Sequence, residues 1–414
     1  MLVEAAHSES AGTARCDPVP LTEPAGGTPP VTEDPETLHA VADTLAAGRG
    51  PVAIDTERAS GYRYSQRAYL VQLRREGAGT VLVDPIALGG ELAPLVTALS
   101  ETEWVLHAAS QDLPCLAELD LHPARLFDTE LAARLAGFDR VSLGALVERT
   151  LSYQLEKGHG AADWSRRPLP REWLVYAALD VELLLELRAL LRTELDGQGK
   201  LSWAHEEFEA IRTAPPPAPR AEPWRRTSGI HRVRSPRQLA AVRALWQARD
   251  KLARERDIAP GRVLPDSSIV QAARSTPRNE AELTALPVFG GKQQRRRSGV
   301  WMNALRTAAQ LPKGELPDPS PPQEGPPPAN RWAERDPAAA TRLTAVRDTL
   351  TRIAEANRLP AENLLLPDLV RRLCWQPPED PTVESVTETL RSGGAREWQL
   401  ALTAEAIVDA LRVS

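Results

Sequence analysis

The chain has 414 residues, enough for two or three domains, and its 42% hydrophobic and 26% charged content is ordinary for a globular protein. No run of about 18 apolar residues occurs, the first residues hold no basic segment with an apolar core, and Cys16, Cys115 and Cys374 lie too far apart for a disulfide framework or a zinc site. A membrane helix, a secreted mini-protein and a zinc finger are thereby excluded, and a cytoplasmic location follows by default. The net charge of −6 is uneven: residues 51–211 carry 25 Asp/Glu against 16 Lys/Arg, whereas 212–313 carry 21 Lys/Arg against 7 Asp/Glu, a net +14. A basic module between acidic ones is the footprint of a polyanion binder, although an arginine-rich solvated surface has the same composition.

Residues 1–35 read as a disordered tail, because 17–35 (DPVPLTEPAGGTPPVTEDP) are rich in Pro, Gly and Thr. Strand and helix signals then alternate over 36–211. PVAIDTE (51–57) is a short apolar run ending in acids, and AYLVQLRRE (68–76) and TVLVDPI (80–86) come next at hairpin spacing. LAPLVTALS (92–100) has helical periodicity and EWVLHAA (103–109) reads as a buried strand. Helices are predicted at 111–120, 128–136, 142–151 and 171–196. This is the pattern of an α/β sheet with flanking helices.

Proline divides the rest of the chain. APPPAPRAEP (214–223) sets a linker over 212–228, and PKGELPDPSPPQEGPPP (312–328) sets a second over 312–329. The body between them, 229–311, is all helical. Ser235 caps and Pro236 opens a helix running to 257, with Leu239, Val242, Leu245 and Trp246 on one face. Residues 330–414 repeat the style, with helices predicted near 337–356, 364–373, 382–391 and 397–411.

Three acidic signals carry chemistry. Asp55 and Glu57 are two apart on a strand and share a face. Neighbouring carboxylates repel unless a cation lies between them, and Mg²⁺ or Mn²⁺ takes such oxygens; two solvated acids at a strand end have the same spacing. Tyr176 and Asp180 are one turn apart on a helix otherwise rich in Leu, Ala and Val. Asp112 comes after a buried strand and opens a helix, where α/β sites gather and where the helix dipole also favours an acid.

Taken in order, Asp-x-Glu, Asp and Tyr-x₃-Asp resemble the DEDD exonucleases with tyrosine in the last motif. AIDTE (53–57), VQL (71–73), HAASQDL (107–113), LFDTELAARLAG (126–137), EKGHGAADWSRRPLP (156–170) and YAALDVELLLEL (176–187) are together similar to the bacterial ribonuclease D family. Residues 229–311 resemble an HRDC domain, and 337–411 resemble the family's more divergent second helical domain. The resemblance implies a ribonuclease H-like exonuclease domain, a mixed sheet with flanking helices, followed by two all-α HRDC-type domains.

It also implies a 3′–5′ exoribonuclease that works by two-metal hydrolysis, releases 5′-mononucleotides and acts on RNA with a free 3′ end, tRNA precursors among them. In that scheme Asp55 bridges two divalent ions, Mg²⁺ or Mn²⁺. Glu57 and Asp180 complete the ion that binds the attacking water, Asp112 supports the second, and Tyr176 orients the water. One departure stands out: the family commonly has an aromatic residue after Asp-Thr-Glu, where this chain has Arg58, with Tyr62 and Tyr64 nearby.

Lys157, and Lys292, Arg295, Arg296 and Arg297 after the Gly290–Gly291 turn, are candidates for gripping the RNA backbone; solvated charge is the alternative. His107 reads as a core histidine, Asp128 as an N-cap, and Asp163 and Trp164 as loop anchors. A DNA 3′–5′ exonuclease would share the acids, and a non-catalytic RNA-binding protein would share the fold. The tandem helical bodies argue against the first, and the complete set of four acids and a tyrosine against the second. No membrane contact and no obligate protein partner is legible.

Overall fold

The computed structural model describes residues 17–156, 158–320 and 325–412. The first body runs through β1 (Val19–Leu21), β2 (Val31–Thr32), α1 (Pro35–Ala47), β3 (Arg49–Arg58), β4 (Ala68–Glu76), β5 (Gly79–Val83), α2 (Ala93–Leu99), β6 (Glu103–Leu106), α3 (Leu113–Ala117), β7 (Arg125–Asp128), α4 (Thr129–Leu135), α5 (Leu143–Leu151), β8 (Tyr153–Leu155), α6 (Arg171–Glu182), α7 (Leu184–Gly197) and α8 (Leu201–Arg212). Six strands form one mixed sheet in the order β2-β5-β4-β3-β6-β7. β4 runs antiparallel to β3 and β5, while β6 lies parallel to both β3 and β7. β3 is central, and its Val52, Ala53 and Ile54 are buried on both faces, as a covered sheet requires. Helix α6 lies across β3, β4 and β5.

Several predicted boundaries move, each for a physical reason. The expected loose tail over 17–35 is instead paired: Val19–Leu21 runs parallel to β8, and Val31–Thr32 extends the main sheet beside β5. Edge positions tolerate the prolines there, and the sheet edge offers them backbone partners. Residues 1–16 of that predicted tail lie outside the described residues. The strand predicted over 103–109 stops at Leu106, because Ala108 turns left-handed at φ 60°. The helix predicted over 171–196 breaks at Leu183, where φ −113° and ψ 7° leave the helical region.

The second body is built on α9 (Pro236–Arg256), with further helices Asp266–Ser275 and Ser298–Gln310. Its core takes in Trp224, so the linker predicted over 212–228 ends before Pro223. The second linker is also shorter than 312–329. The carbonyls of Pro326 and Pro327 accept from Arg371 at 2.9 Å, and that of Pro327 accepts from Trp332 Nε1 at 2.7 Å.

The third body holds helices Pro337–Ala356, Pro367–Trp375, Val383–Ser392 and Glu397–Arg412. It shares one hydrophobic core with the sheet body. Trp203 of α8 stacks on Trp398 with ring centroids 4.9 Å apart, and Trp398 Nε1 donates to Glu207 at 3.1 Å. Gly137, at φ +85°, backs onto Arg358, whose carbonyl oxygen would lie 2.5 Å from any added Cβ. Among the described residues, no helix is long and apolar enough to cross a membrane.

Candidate active site

The site is built where β3 meets α6. Alternation along β3 puts Asp55 and Glu57 on one face, opposite Gln72 and Leu70 of β4. Ala177, Ala178 and Val181 of α6 are buried, and the two alanines pack with Leu70 and Leu82 of the sheet. Small residues there let the helix sit low and bring Asp180 to the strand. Carboxylate oxygens of Asp55, Glu57 and Asp180 all lie within 4.8 Å of one another.

Tyr176 stands one turn before Asp180, and its hydroxyl donates to that carboxylate. The loop after residue 157 walls the tyrosine in. His159 meets its ring edge-on at 5.7 Å, and an added Cβ at Gly160 would lie 3.4 Å from its hydroxyl. Trp164, fully buried, donates from Nε1 to the His159 carbonyl at 3.1 Å. Asp163 accepts from Ser165, so both predicted anchors do hold this loop.

Asp112 is buried at the start of α3, outside that group of three, but its charge raises all three acids. It accepts from Thr56 Oγ1 at 2.7 Å and lies 3.5 Å from Arg58 Nη2. Arg58 also donates to the Gln111 carbonyl at 2.7 Å, so this side chain turns back onto the acidic site. Of the two nearby aromatics, Tyr62 packs against the cluster of Leu70, Trp164 and Ala177 beside the site, Tyr64 packs against the core of the second body, and both contact the second body's polar groups. The Arg262 guanidinium lies 4.0 Å from the Tyr62 ring centre, and the Tyr64 hydroxyl donates to Asp250 at 3.0 Å.

The electrostatics are those of a site that wants cations. Burial, then the charges of Asp112 and Asp180, hold Asp55 well above the usual carboxylate range. Burial and the neighbouring acids push Glu57 up to about 10, and burial pushes Asp180 up to about 7. Arg58 opposes these shifts at Asp55, Glu57 and Asp112. Burial and the same carboxylates raise Tyr176, which is therefore a protonated donor near neutral pH.

Gln72 supplies a further sign. It is fully buried opposite Asp55, and neither its amide nitrogen nor its oxygen has a partner. An orphaned buried amide costs about 1–3 kcal/mol unless something polar meets it. Hard carboxylate oxygens with an unmet amide beside them fit a divalent cation that keeps water in its shell.

The remaining predicted residues divide between core, cap and surface. His107 is a core histidine: Nδ1 lies 2.9 Å from Thr129 Oγ1, and burial pushes the imidazole down to about 4, so it is neutral. Asp128 caps α4 through the N–H groups of Glu130 and Leu131. It also accepts from Ala108 and Ala109 at 3.1 and 2.8 Å, fixing the turn that leads to Asp112. Lys157 lies outside the described residues. Lys292, Arg295 and Arg296 are exposed and Arg297 half-buried on the second body, not gathered with the acids.

Sequence reasoning missed Arg232, Arg234 and Arg274, which line an open cleft of about 770 Å³ in the second body with Gln238, Ser267 and Gln271. Among the described residues none of the three has a carboxylate partner. Their only sequence signal is the arginine excess of 212–313, because they converge through the packing of two helices and a loop.

Three family models match the chain: a 3′–5′ exonuclease over 30–196, an HRDC domain over 238–305, and a 3′ to 5′ exonuclease C-terminal domain over 325–411. The third body thus answers to its own model. Among curated relatives, ribonuclease D of Acidiphilium cryptum is 34% identical over 80% of this chain and 88% of that protein. Ribonuclease D of Gluconacetobacter diazotrophicus is 35% identical over 67% of this chain and 72% of that protein. A crystal structure of a protein from Bifidobacterium adolescentis is 40% identical, with TM-score 0.88, covering 96% of this chain and all of that one. Escherichia coli RNase D, described as an exoribonuclease involved in structured RNA processing, is 26% identical with TM-score 0.67, covering 93% and 98%. With such identity held over four-fifths of its length, the chain belongs to the ribonuclease D family of 3′–5′ exoribonucleases.

Proposed function

We propose that the chain trims cytoplasmic RNA, tRNA precursors among its substrates, from a free 3′ end by metal-dependent hydrolysis that releases 5′-mononucleotides. The observation that carries this reading is the convergence of Asp55, Glu57 and Asp180 within 4.8 Å beside the Tyr176 hydroxyl. Two divalent ions, Mg²⁺ or Mn²⁺, when bound, lower the pKa of a coordinated water and offset the charge that develops on the leaving oxygen. Asp55, flanked by Glu57 and Asp180 and within the field of Asp112, is the carboxylate suited to both ions. Glu57 and Asp180 would hold one, and Asp112 would serve the other. Tyr176 keeps its proton and positions the attacking water by hydrogen bond.

The basic second body captures substrate. The +14 net charge of residues 212–313 and the Arg232–Arg234–Arg274 cleft suit RNA phosphates, with Lys292, Arg295, Arg296 and Arg297, and Lys157 of the sheet body, as further contacts. The description of the E. coli relative as acting on structured RNA supports a structured substrate. The test compares 5′-labelled RNA with a free and with a blocked 3′ end, in Mg²⁺ and in EDTA. Stepwise shortening only with a free end and Mg²⁺ is expected. Internal cutting, or digestion in EDTA, would reject the reading.

A further inference from the structure

The HRDC domain reaches into the neighbourhood of the acids. The loop 59–67 leaves β3 directly after Glu57 and Arg58 and leads into β4, and it is held from outside its own body. Helix α9 ends at Asp257, in the left-handed region at φ 47°, a conformation that Asp tolerates better than most residues. Its Oδ1 accepts the backbone N–H groups of Tyr64 at 3.1 Å and Ser65 at 2.8 Å. Its Oδ2 accepts from Arg67 Nη2 at 3.2 Å and from the Tyr69 hydroxyl at 3.4 Å.

Two residues on, the Ala259 N–H donates to the Tyr62 carbonyl at 2.9 Å, and Arg262 Nε donates to the Gly61 carbonyl at 2.7 Å. The Tyr64 ring packs against the HRDC core, and its hydroxyl also accepts from Arg254 at 3.1 Å. The backbone groups of residues 61, 62, 64 and 65 thus find their partners in another domain.

The loop in turn reaches the catalytic wall. Arg63 Nε donates to Ser165 Oγ at 2.7 Å, and Ser165 Oγ donates to Asp163 at 2.5 Å. Ser165 belongs to the loop whose His159 and Trp164 enclose Tyr176. Hydrogen bonds, the backbone steps Tyr64–Arg63 and Ser165–Trp164, and the His159 ring therefore connect Asp257 to the tyrosine that faces the acids.

We infer that the HRDC domain is a positioning element of the catalytic cleft: Asp257 and Arg262 fix the loop 59–67 and, through Arg63 and Ser165, the wall that orients Tyr176. The domain then governs turnover as well as RNA capture. The inference rests on the nuclease function proposed above. Its physical basis is that surface loops move unless tied down, and that a misplacement of about 1 Å at reacting groups can cost on the order of a hundredfold in rate.

The experiment uses the full-length chain and a short single-stranded oligoribonucleotide in Mg²⁺. Asp257→Ala should lower kcat about tenfold or more, with KM and the salt dependence unchanged and the Mg²⁺-induced rise in Tm retained. Asp257→Asn keeps an acceptor for the two backbone N–H groups and suits left-handed backbone, so it should recover most of the loss. Arg262→Ala, a lesion at a second contact, should lower kcat in the same direction even where Asp257→Ala folds poorly. With an active wild type, kcat within twofold of it for both alanine variants overturns the inference, as does a raised KM with a shallower salt slope in place of a lowered kcat. A wild-type chain inactive on this substrate would instead bring down the nuclease reading, and this inference with it.

Discussion

Asp55→Asn should make the metal-free protein more stable while making the enzyme far slower. The substitution keeps the side-chain volume and removes one negative charge from a group whose oxygens lie within 4.8 Å of two others. At that separation and an effective dielectric near 20, two ionised carboxylates repel by about 3 kcal/mol. Protonation already relieves part of this, because burial and mutual repulsion hold Asp55, Glu57 and Asp180 above their ordinary range. The net gain in metal-free stability should therefore be about 1–2 kcal/mol at pH 8.

The same shifts set the sign of the pH dependence. Raised carboxylates bind more protons folded than unfolded, so their contribution is complete below about pH 4 and is lost as pH rises through Asp180 at about 7 and beyond. Wild type in EDTA should lose stability over that range, and Asp55→Asn should lose less. The rate should fall at least a hundredfold, about 2.7 kcal/mol, since an amide cannot share charge between cations. Denaturant melts in EDTA and in Mg²⁺ at pH 6 and 8, beside digestion of labelled RNA, measure both effects. A folded variant that is less stable in EDTA, or that keeps more than about a tenth of the wild-type rate, would refute the electrostatic account.

Tyr176→Phe removes only the hydroxyl, so the rate should fall about a hundredfold with the Mg²⁺-induced Tm rise intact; loss of that rise would make Tyr176 a ligand. Gln72→Met replaces an unpartnered buried amide by an apolar side chain of similar size. Thermal melts should show stability unchanged or about 1 kcal/mol higher while the rate drops; a destabilised variant of normal rate would show that the amide serves packing alone. Replacing Arg232, Arg234 and Arg274 together by glutamine should raise KM for structured RNA and flatten the log–log salt slope by about two units. An unchanged slope would place the phosphate contacts elsewhere.

What could be read from the sequence was local in period. Spacing of two on β3 and of four on α6 put Asp55 beside Glu57 and Tyr176 beside Asp180, because strand and helix geometry fix those relations without tertiary knowledge. Asp112 was legible as a junction acid, but its distance from the other three depends on Thr56 and Arg58, which neighbour it only in the fold. The strands at 19–21 and 31–32 were hidden because their partners, β8 and β5, lie far along the chain and proline-rich composition masks edge pairing. Trp224 looked like linker because its burial depends on a core assembled from residues downstream. The same limit hid the coupling of the bodies: Tyr64 and Asp257 are 193 positions apart, and Trp203 meets Trp398 across a still longer stretch. That coupling means a chain cut after Arg212 would bare the face of α8 that packs on the third body, so point substitutions in the intact protein are the sounder probes.

The most direct test of the central claim is product analysis on one 3′-extended, tRNA-like RNA and a DNA strand of the same sequence, with wild type and Asp55→Asn in Mg²⁺. Wild type should release nucleotide 5′-monophosphates from the RNA one at a time from its 3′ end and leave the DNA largely intact, and Asp55→Asn should release almost none. Equal digestion of the DNA, internal fragments, or an active Asp55→Asn variant would contradict that claim.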